Sequence, residues 1–319
     1  MPDIKIQTVP YCADRAADWN EWGAESCNGT FLFHRNYMKY HGDRLKDCSL
    51  LFYSKEKLNG ILPAGIHGDE VRSHGGLTYG GLIWKKGTHF EEVRQMLQEA
   101  CVFYKSRIGA KRLLYSPVPY IYHAYPAQED LYVLFKMGAQ LKARSLSACV
   151  DLQEKLPYST LRRRKLHKAQ RANLIVEKLE QKNSWEIFWN ILTKILHERH
   201  NAQPVHSLEE IWYLKQHFPW EIQLHAVMEN GEMLAGCVLY VTRQVVHVQY
   251  IAANETGRAV GALEFLFHDL MEKFKVSHRY LDFGRWTEQG GEIVNQGLMF
   301  QKEGLGGRAV CYDQYEIKL

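Results

Sequence analysis

The sequence predicts a mixed α/β (α+β) fold built from two tandem copies of one unit. Three observations carry this. The order strand, turn, strand, strand, helix, strand can be read twice along the chain. Landmarks in the two readings share one separation: Asn59-Gly60 and Asn230-Gly231, Ala64-Gly65 and Ala235-Gly236, and Tyr79 and Tyr250 each lie 171 positions apart (230 minus 59 for the first pair). A common offset over turn, strand and helix argues for duplication. Finally, 319 residues exceed the usual single domain, so two domains of about 150 residues each are expected, here residues 1–152 and 153–319.

In the first copy, Trp19 and Trp22 are spaced for a helix over 13–24, and Arg35 to His41 reads as a second short helix ended by Gly42. Leu50 to Tyr53 is a strand, Asn59-Gly60 a turn, Ile61 to Ile66 the next strand, and Ser73 to Ile83 a strand with glycines. Thr88 and Glu91 form an S/T-x-x-E capping box, and Val93, Met96, Leu97, Ala100, Cys101 and Tyr104 supply one apolar helix face. Arg112 to Tyr115 closes the unit. A helix at Leu131 to Met137, stopped by Gly138, and a strand at Ser147 to Leu152 lead out of it.

The most basic segment follows, a helix over 160–172 that Ser159 or Thr160 could cap. Arg164, His167, Lys168 and Arg171 fall at i, i+3, i+4 and i+7 and share one face. That face suits solvent, an inter-domain salt-bridge surface, or the phosphates of a nucleotide-sugar or tRNA. Trp185, Phe188, Trp189, Leu192 and Leu196 stripe the next helix, and Ser207 with Glu210 caps a third. The second copy then runs as strand Ile222 to Met228, turn Asn230-Gly231, strands Met233 to Thr242 and Val245 to Ala252, helix Ala262 to Phe274 and strand Tyr280 to Phe283.

Composition narrows the class. Hydrophobic residues at 46% and charged residues at 24%, with a mean hydropathy of -0.36, fit a soluble globular protein. The net charge of +4 does not by itself imply nucleic acid, and DNA is not expected as a partner. Seven scattered cysteines without a C-x-x-C pair indicate neither a disulfide framework nor a zinc ribbon. The N-terminus lacks an apolar h-region and no apolar run approaches a membrane span, so a reducing cytoplasm and no integral membrane association are expected. His197-Glu198-Arg199-His200 is not H-E-x-x-H, because its histidines are three apart, and no metal is expected.

The stretch Tyr280 to Gly307 departs furthest from a core pattern. Asp282, Arg285, Glu288, Glu292, Asn295, Lys302 and Glu303 are interleaved there with seven glycines, and charges beside glycine at a strand end are often binding groups. Its counterpart after Tyr115 is Ser116-Pro117-Val118-Pro119, so residues 284–307 read as specific to the second copy.

With the repeated unit in place, the chain resembles the tandem GNAT-fold acyltransferases, and among them the FemAB-related (FemABX-like) N-acetyltransferases. The residues that carry the resemblance are the basic Leu161-Arg162-Arg163-Arg164-Lys165 to Ala169, Tyr250-Ile251-Ala252-Ala253, Leu281-Asp282-Phe283-Gly284, Asn295-Gln296-Gly297-Leu298, and Phe300-Gln301-Lys302-Glu303-Gly304-Leu305-Gly306-Gly307. The resemblance implies two GNAT-like domains, each a mixed, mostly antiparallel sheet flanked by helices, with 308–319 returning to pair with a sheet of the first. It also implies transfer of an acyl or aminoacyl group to an amine, from acetyl-CoA or another acyl-CoA in GNAT enzymes and from aminoacyl-tRNA in peptidoglycan-branching FemABX ligases. The GNAT pyrophosphate loop reads Q/R-x-x-G-x-G/A. Arg258-Ala259-Val260-Gly261-Ala262-Leu263 keeps its first two landmarks and has leucine at the third.

The candidate site residues follow from both sources. Gly257, Arg258, Gly261 and Ala262 open the second central helix, where backbone N–H groups and the positive dipole end suit phosphate. Strand alternation puts His247, Gln249 and Ile251 on one face and Val246, Val248 and Tyr250 on the other. An attacking amine must be deprotonated, and Asp282 and His247 are the candidate bases, with Tyr250 a candidate acid for the leaving group. Arg285, Asn295, Lys302 and Glu303, together with Gln249 and, by family resemblance, Arg199, His200 and His206, are candidate acceptor-binding groups. The expected activity is N-acyl transfer from acyl-CoA to an amine of a cell-envelope or polysaccharide precursor, the acceptor being a small molecule or a nucleotide-linked sugar or peptide. The alternatives are an aminoacyl-tRNA-dependent peptidyltransferase of peptidoglycan branching and a non-catalytic binding protein of the same fold.

Overall fold

A computed structural model describes residues 5–40, 46–73 and 75–319, the side chains of Arg199 and His200 excepted. The first half opens with strand β1 (Ile6–Pro10), helix α1 (Ala16–Glu25) and the single turn α2 (Arg35–Met38). The predicted continuation of α2 to His41 and Gly42 lies outside the described residues. Strands β2 (Lys46–Asp47), β3 (Leu50–Ser54), β4 (Lys57–Leu62), β5 (Ala64–His67) and β6 (Glu70–Ser73) come next. Helix α3 (Phe90–Phe103), strand β7 (Arg112–Tyr115), helix α4 (Glu129–Lys136) and the long strand β8 (Gln140–Asp151) complete this half.

Helix α5 (Thr160–Ala169), strand β9 (Ile175–Leu179) and helices α6 (Lys182–His200) and α7 (Leu208–His217) begin the second half. Strands β10 (Ile222–Glu229), β11 (Glu232–Val241) and β12 (Val245–Ala253) lead to the short helix α8 (Glu255–Val260) and the central helix α9 (Ala262–Phe274). Strand β13 (Tyr280–Arg285), the hairpin β14 (Thr287–Glu288) and β15 (Ile293–Val294), helix α10 (Gln296–Gly304) and strand β16 (Arg308–Lys318) end the chain. No helix among the described residues is long and apolar enough to cross a membrane.

The chain divides into two compact units, Met1–Ser145 with Cys311–Leu319, and Leu146–Val310. In the first, β1, β3 and β4 form a small antiparallel sheet, while β2, β5, β6, β7 and β16 are neighbours in that order, with β6 and β7 parallel. Helix α3 packs Val93, Met96, Leu97 and Ala100 into a core with Leu50, Leu62, Leu113 and Ile317. In the second, β8, β13, β12, β11, β10 and β9 are neighbours in that order, with β12 and β13 parallel and the other pairs antiparallel. Helix α9 packs Leu266, Phe267, Leu270 and Met271 into a core with Val246, Val248, Leu281 and Phe283.

The duplication is present in a different register. Asn59-Gly60 is not a turn: it lies inside β4, where a Cβ on Gly60 would come within 2.5 Å of Met96 Sδ, so glycine there lets α3 approach the strand. The turn is Lys55-Glu56, both with positive φ (49° and 65°), matching Asn230-Gly231 at 50° and 85°. These turns lie 175 apart (230 minus 55). The same shift relates β6 to β12 (245 minus 70), while β7 and β13 lie 168 apart (280 minus 112), so that Glu70↔Arg112, Val71↔Leu113 and Arg72↔Leu114 correspond to Val245↔Tyr280, Val246↔Leu281 and His247↔Asp282.

Other local expectations also change. The predicted strand Ile61 to Ile66 breaks at Pro63, which has no N–H for the ladder. His74 lies outside the described residues, and from Gly75 on the expected strand to Ile83 is loop, with Ile83 held as a bridge to Ile61. Helix α3 is capped one residue later than predicted, by His89, whose backbone N–H donates to Glu92 Oε2 at 2.8 Å. The stretch 284–307 is not wholly peculiar to the second copy, because in both halves the parallel strand is followed by a connection, which in the second half holds the β14–β15 hairpin, and then by one helix (α4 or α10) and a long strand (β8 or β16).

Candidate functional site

Strands β12 and β13 pair only as far as His247↔Asp282. Beyond that point β12 continues to Ala253 and β13 to Arg285 without pairing to each other, so the last matched pair stands at the mouth of a split in the sheet. Leu281 and Phe283 face α9, which leaves Asp282 on the opposite face with His247. Asp282 is fully buried. Its Oδ1 accepts from Ser147 Oγ at 2.5 Å and from the Gly284 N–H at 3.0 Å, and its Oδ2 accepts from His247 Nδ1 at 2.9 Å. This arrangement places the His247 proton on Nδ1 and presents Nε2 as the basic nitrogen of a half-buried imidazole.

Two bulges shape the neighbourhood. On β12, Tyr250 pairs with Val238 and Val248 with Leu239, so Gln249 is an extra residue opposite β11. The expected alternation therefore reverses: Val246 and Val248 face α9, Ile251 packs on that same core, and Tyr250 joins His247 on the α6 face, where its ring meets Trp189 edge-on at 5.1 Å. On β13, the three-residue step from Asp282 to Arg285 spans only two residues of β8, and Gly284 takes a φ of +78° in this bulge.

The second bulge brings in Lys302. A Cβ built on Gly284 would lie 3.6 Å from His247 Cε1 and 4.0 Å from Lys302 Nζ, so the two side chains converge on one point. Lys302 donates to the carbonyls of Gly284 at 2.9 Å and Arg285 at 2.6 Å, using two of its three protons. Burial depresses its ammonium to about 8, and the Asp282 charge works in the opposite direction.

The remaining predicted residues divide. Tyr250 accepts the backbone N–H of His206 at 3.2 Å and lies 2.5 Å from its Nδ1. Burial pushes the phenol up to about 12, so it stays protonated and donates to His206, which makes the pair an anchor for the segment before α7. Asn295 caps α10, its Oδ1 accepting from Leu298 N–H at 3.1 Å and its Nδ2 donating to Glu288 at 2.7 Å. Arg285 is exposed at the end of β13, and Glu303 is half-buried in α10. Arg199 and His200 end α6, with side chains outside the described ones. Ser147 was not singled out from the sequence, where one serine in an apolar strand carries no signal. Only the β8–β13 register reveals it.

The expected pyrophosphate cradle does not fit a pyrophosphate. Gly257 lies in α8, its N–H donates to Asn254 Oδ1 at 2.8 Å, and a Cβ there would meet the Leu234 carbonyl at 2.2 Å. Gly261, with φ +87°, is pressed against α5, since its Cβ would fall 2.6 Å from the Lys165 carbonyl. Arg258 donates to the Ala253 carbonyl at 2.7 Å, and Ala262 is fully buried. Within the first turn of α9, the buried carboxylate of Glu264 accepts from Arg162 Nη1 at 2.5 Å, with Lys165 at 3.9 Å. The positive end of this helix is thus covered by α5 and already faces a carboxylate.

No protein-family model matches the chain, and no curated protein matches it by sequence. Solved structures do match. FemX is 11% identical with a TM-score of 0.71, the match covering 98% of this chain and 97% of FemX. L-PGS from Bacillus licheniformis is 12% identical with a TM-score of 0.60, over 96% and 90% of the two chains. A tandem GNAT protein from the clavulanic acid biosynthesis pathway is 10% identical with a TM-score of 0.53, over 98% of each chain. At these identities the likeness is one of fold, and the chain has the tandem GNAT, FemX-like fold.

Proposed function

We propose that the chain is an acyltransferase that moves an activated acyl group onto an amine of a cell-envelope precursor, with the reaction centred on His247, Asp282 and Lys302. The observation that supports this most is the buried Asp282–His247 pair at the point where β12 and β13 part, with Lys302 aimed at the same space. His247 Nε2 takes a proton from the acceptor amine as its nitrogen bonds to the acyl carbon. Asp282 holds the resulting imidazolium. The third Lys302 proton faces the negative charge that develops on the carbonyl oxygen. The bond from acyl carbon to the donor's heteroatom then breaks, and the imidazolium returns its proton to that leaving group.

Two donors are in view. Acyl-CoA draws support from the fold neighbour described without AcCoA, but CoA phosphates would need a seat other than the covered first turn of α9. An aminoacyl ester on tRNA needs no pyrophosphate cradle, and the closed cradle favours this second reading. The test offers the purified chain radiolabelled acetyl-CoA or mixed aminoacyl-tRNA, with a nucleotide-linked sugar-peptide as acceptor. Transfer from one donor, lowered by roughly a hundredfold or more in His247→Ala, is the expected result. Turnover undiminished by His247→Ala would remove the proposed centre, and label transferred only from acetyl-CoA would remove the ester reading.

A further inference from the structure

Helix α4 carries one face that packing does not account for. Glu129, Tyr132 and Phe135 recur every three residues and so lie along one side of it. The Tyr132 ring meets Phe90, the first residue of α3, at 5.6 Å and 64°, and meets Phe135 at 6.4 Å. Phe90, Pro126, Ala127, Gln128, Glu129 and Tyr132 line an open pocket of about 560 Å³, all within the first unit. Contact between the rings would join α3 to α4, yet Phe90 and Tyr132 remain 42% and 55% exposed. Glu129 is half-buried. Among the described residues its Oε2, cut off from water, accepts no hydrogen bond, and no cation pairs with the carboxylate. A place in the first turn of α4 offsets part of that cost through the helix dipole, but brings the carboxylate no donor. Asp130 is engaged elsewhere, accepting from the Tyr115 hydroxyl at 2.8 Å and the Leu131 N–H at 2.9 Å. At Tyr125, next to Pro126 in the chain, Lys86 Nζ stands 4.4 Å from the ring centroid, so cation–π contact is already in use on this loop.

We propose that this pocket binds a quaternary ammonium group against the Phe90 and Tyr132 rings and beside the Glu129 carboxylate. Ring faces carry negative charge and attract a cation that comes within about 6 Å of their centroids. A carboxylate half covered by protein attracts it more strongly than one in open water would. The polar groups of the pocket decide among cations. A primary ammonium brings three N–H donors that each need an acceptor, whereas the walls are apolar apart from Gln128, Glu129 and the Tyr132 hydroxyl. A quaternary ammonium has no N–H to satisfy, and its methyl groups can pack on the rings and on Pro126 and Ala127. A metal ion would find one carboxylate where it needs several ligands. An anionic ligand would meet Glu129 with the same sign. The volume is that of a small-molecule site, and the open side leaves room for whatever the ammonium is attached to. The inference is independent of acyl transfer, since the residues of the proposed reaction centre all lie in the second unit.

Choline chloride is the probe, titrated into the full chain at constant ionic strength and followed by saturation-transfer NMR of its methyl protons. The control is its neutral analogue, with carbon in place of the quaternary nitrogen. Choline should bind in the millimolar range, and the neutral analogue at least about fivefold more weakly. Glu129→Gln should weaken choline binding by about fivefold or more. Tyr132→Leu should weaken it by about threefold or more, while Tyr132→Phe, which keeps the ring, should bind like the parent. Circular dichroism and melting establish the fold of each variant, and the comparison of choline with its neutral analogue needs no variant at all. The proposal is overturned by the absence of a choline signal at tens of millimolar, by equal binding of the neutral analogue, or by a folded Glu129→Gln variant with the parent's affinity. A quaternary ammonium can come on a free small molecule or on a lipid, and phosphatidylcholine vesicles separate the two. Sedimentation of the parent with them, lost in Glu129→Gln, assigns a lipid headgroup, and binding of free choline alone assigns a small molecule.

Discussion

At the scale of single residues, the candidate site includes one group, Lys302, whose protonation is set by burial. Lys302 titrates near 8 instead of 10.5 because burial disfavours its charge. A lysine pKa below its unfolded value means that the folded state carries a penalty below pH 8, and this penalty is relieved as pH rises from about 8 to 10.5. Folding stability should therefore gain from Lys302 across that window, while the proposed acyl transfer, in which Lys302 is assigned as the ammonium, should fall. Lys302→Met should abolish the alkaline fall in kcat/KM and lower the plateau by about a hundredfold or more, and the pH–rate profile of the variant checks it. An alkaline limb that persists unchanged in Lys302→Met would assign the limb to another group. Ser147 acts one step back. Ser147→Ala removes one of two donors to the buried Asp282 Oδ1, which should cost about 1–3 kcal/mol of stability by leaving an acceptor less satisfied. Urea denaturation measures that cost. A rate loss smaller than that of His247→Ala would mark Ser147 as a positioning residue.

At the scale of elements, what could be read from the sequence followed the strength of local chemistry. The Ser207–Glu210 capping box, the Ser159 cap and the Val93, Met96, Leu97 and Ala100 face of α3 follow rules that act within a turn or two, and all three are present. Asp282 and His247 were identifiable as polar residues on apolar strands, but their pairing is a register property. The Gln249 bulge could not be read, since a bulge shifts the alternation without altering composition. Asn59-Gly60 misled because its glycine answers to Met96 across the fold and not to a turn. Meanwhile the true turn places Lys55 and Glu56 in the left-handed region, which disfavours both residues. Lys55→Asn with Glu56→Gly should therefore stabilise the protein by about 1 kcal/mol, as the strain of side chains at positive φ is relieved. Thermal melting checks this, and a lowered melting temperature would show that contacts of Lys55 or Glu56 outweigh the strain.

At the scale of the whole molecule, duplication supplied two units with one order of elements, but only one holds the candidate chemistry. Arg72 and Leu114 stand where the second unit has His247 and Asp282, and Arg72 is committed to Glu70 Oε1 at 2.6 Å. The first unit is also the one that depends on the far end of the chain. Its strand β7 pairs with Tyr315 to Lys318 of β16, Ile317 is in its core, Tyr312 bonds Tyr122 hydroxyl to hydroxyl at 2.9 Å, and Arg144 grips Asp313 through two bonds of 2.7 and 2.8 Å. Residues 146–310 contain the residues recorded as paired with β12 and β13, including the Ser147 to Asp151 end of β8. Deleting 311–319 should therefore strip β7 of one neighbour and expose its side of the core. Loss of the Tyr312 and Ile317 burial alone is worth about 3–6 kcal/mol, comparable with the whole stability of a domain. Limited proteolysis of the truncated chain should digest the first unit and leave a protected fragment close to 146–310. Ile317→Ala should give a graded version, costing about 2–5 kcal/mol. A truncated chain as protease-resistant as the parent would show that the first unit stands without its C-terminal strand.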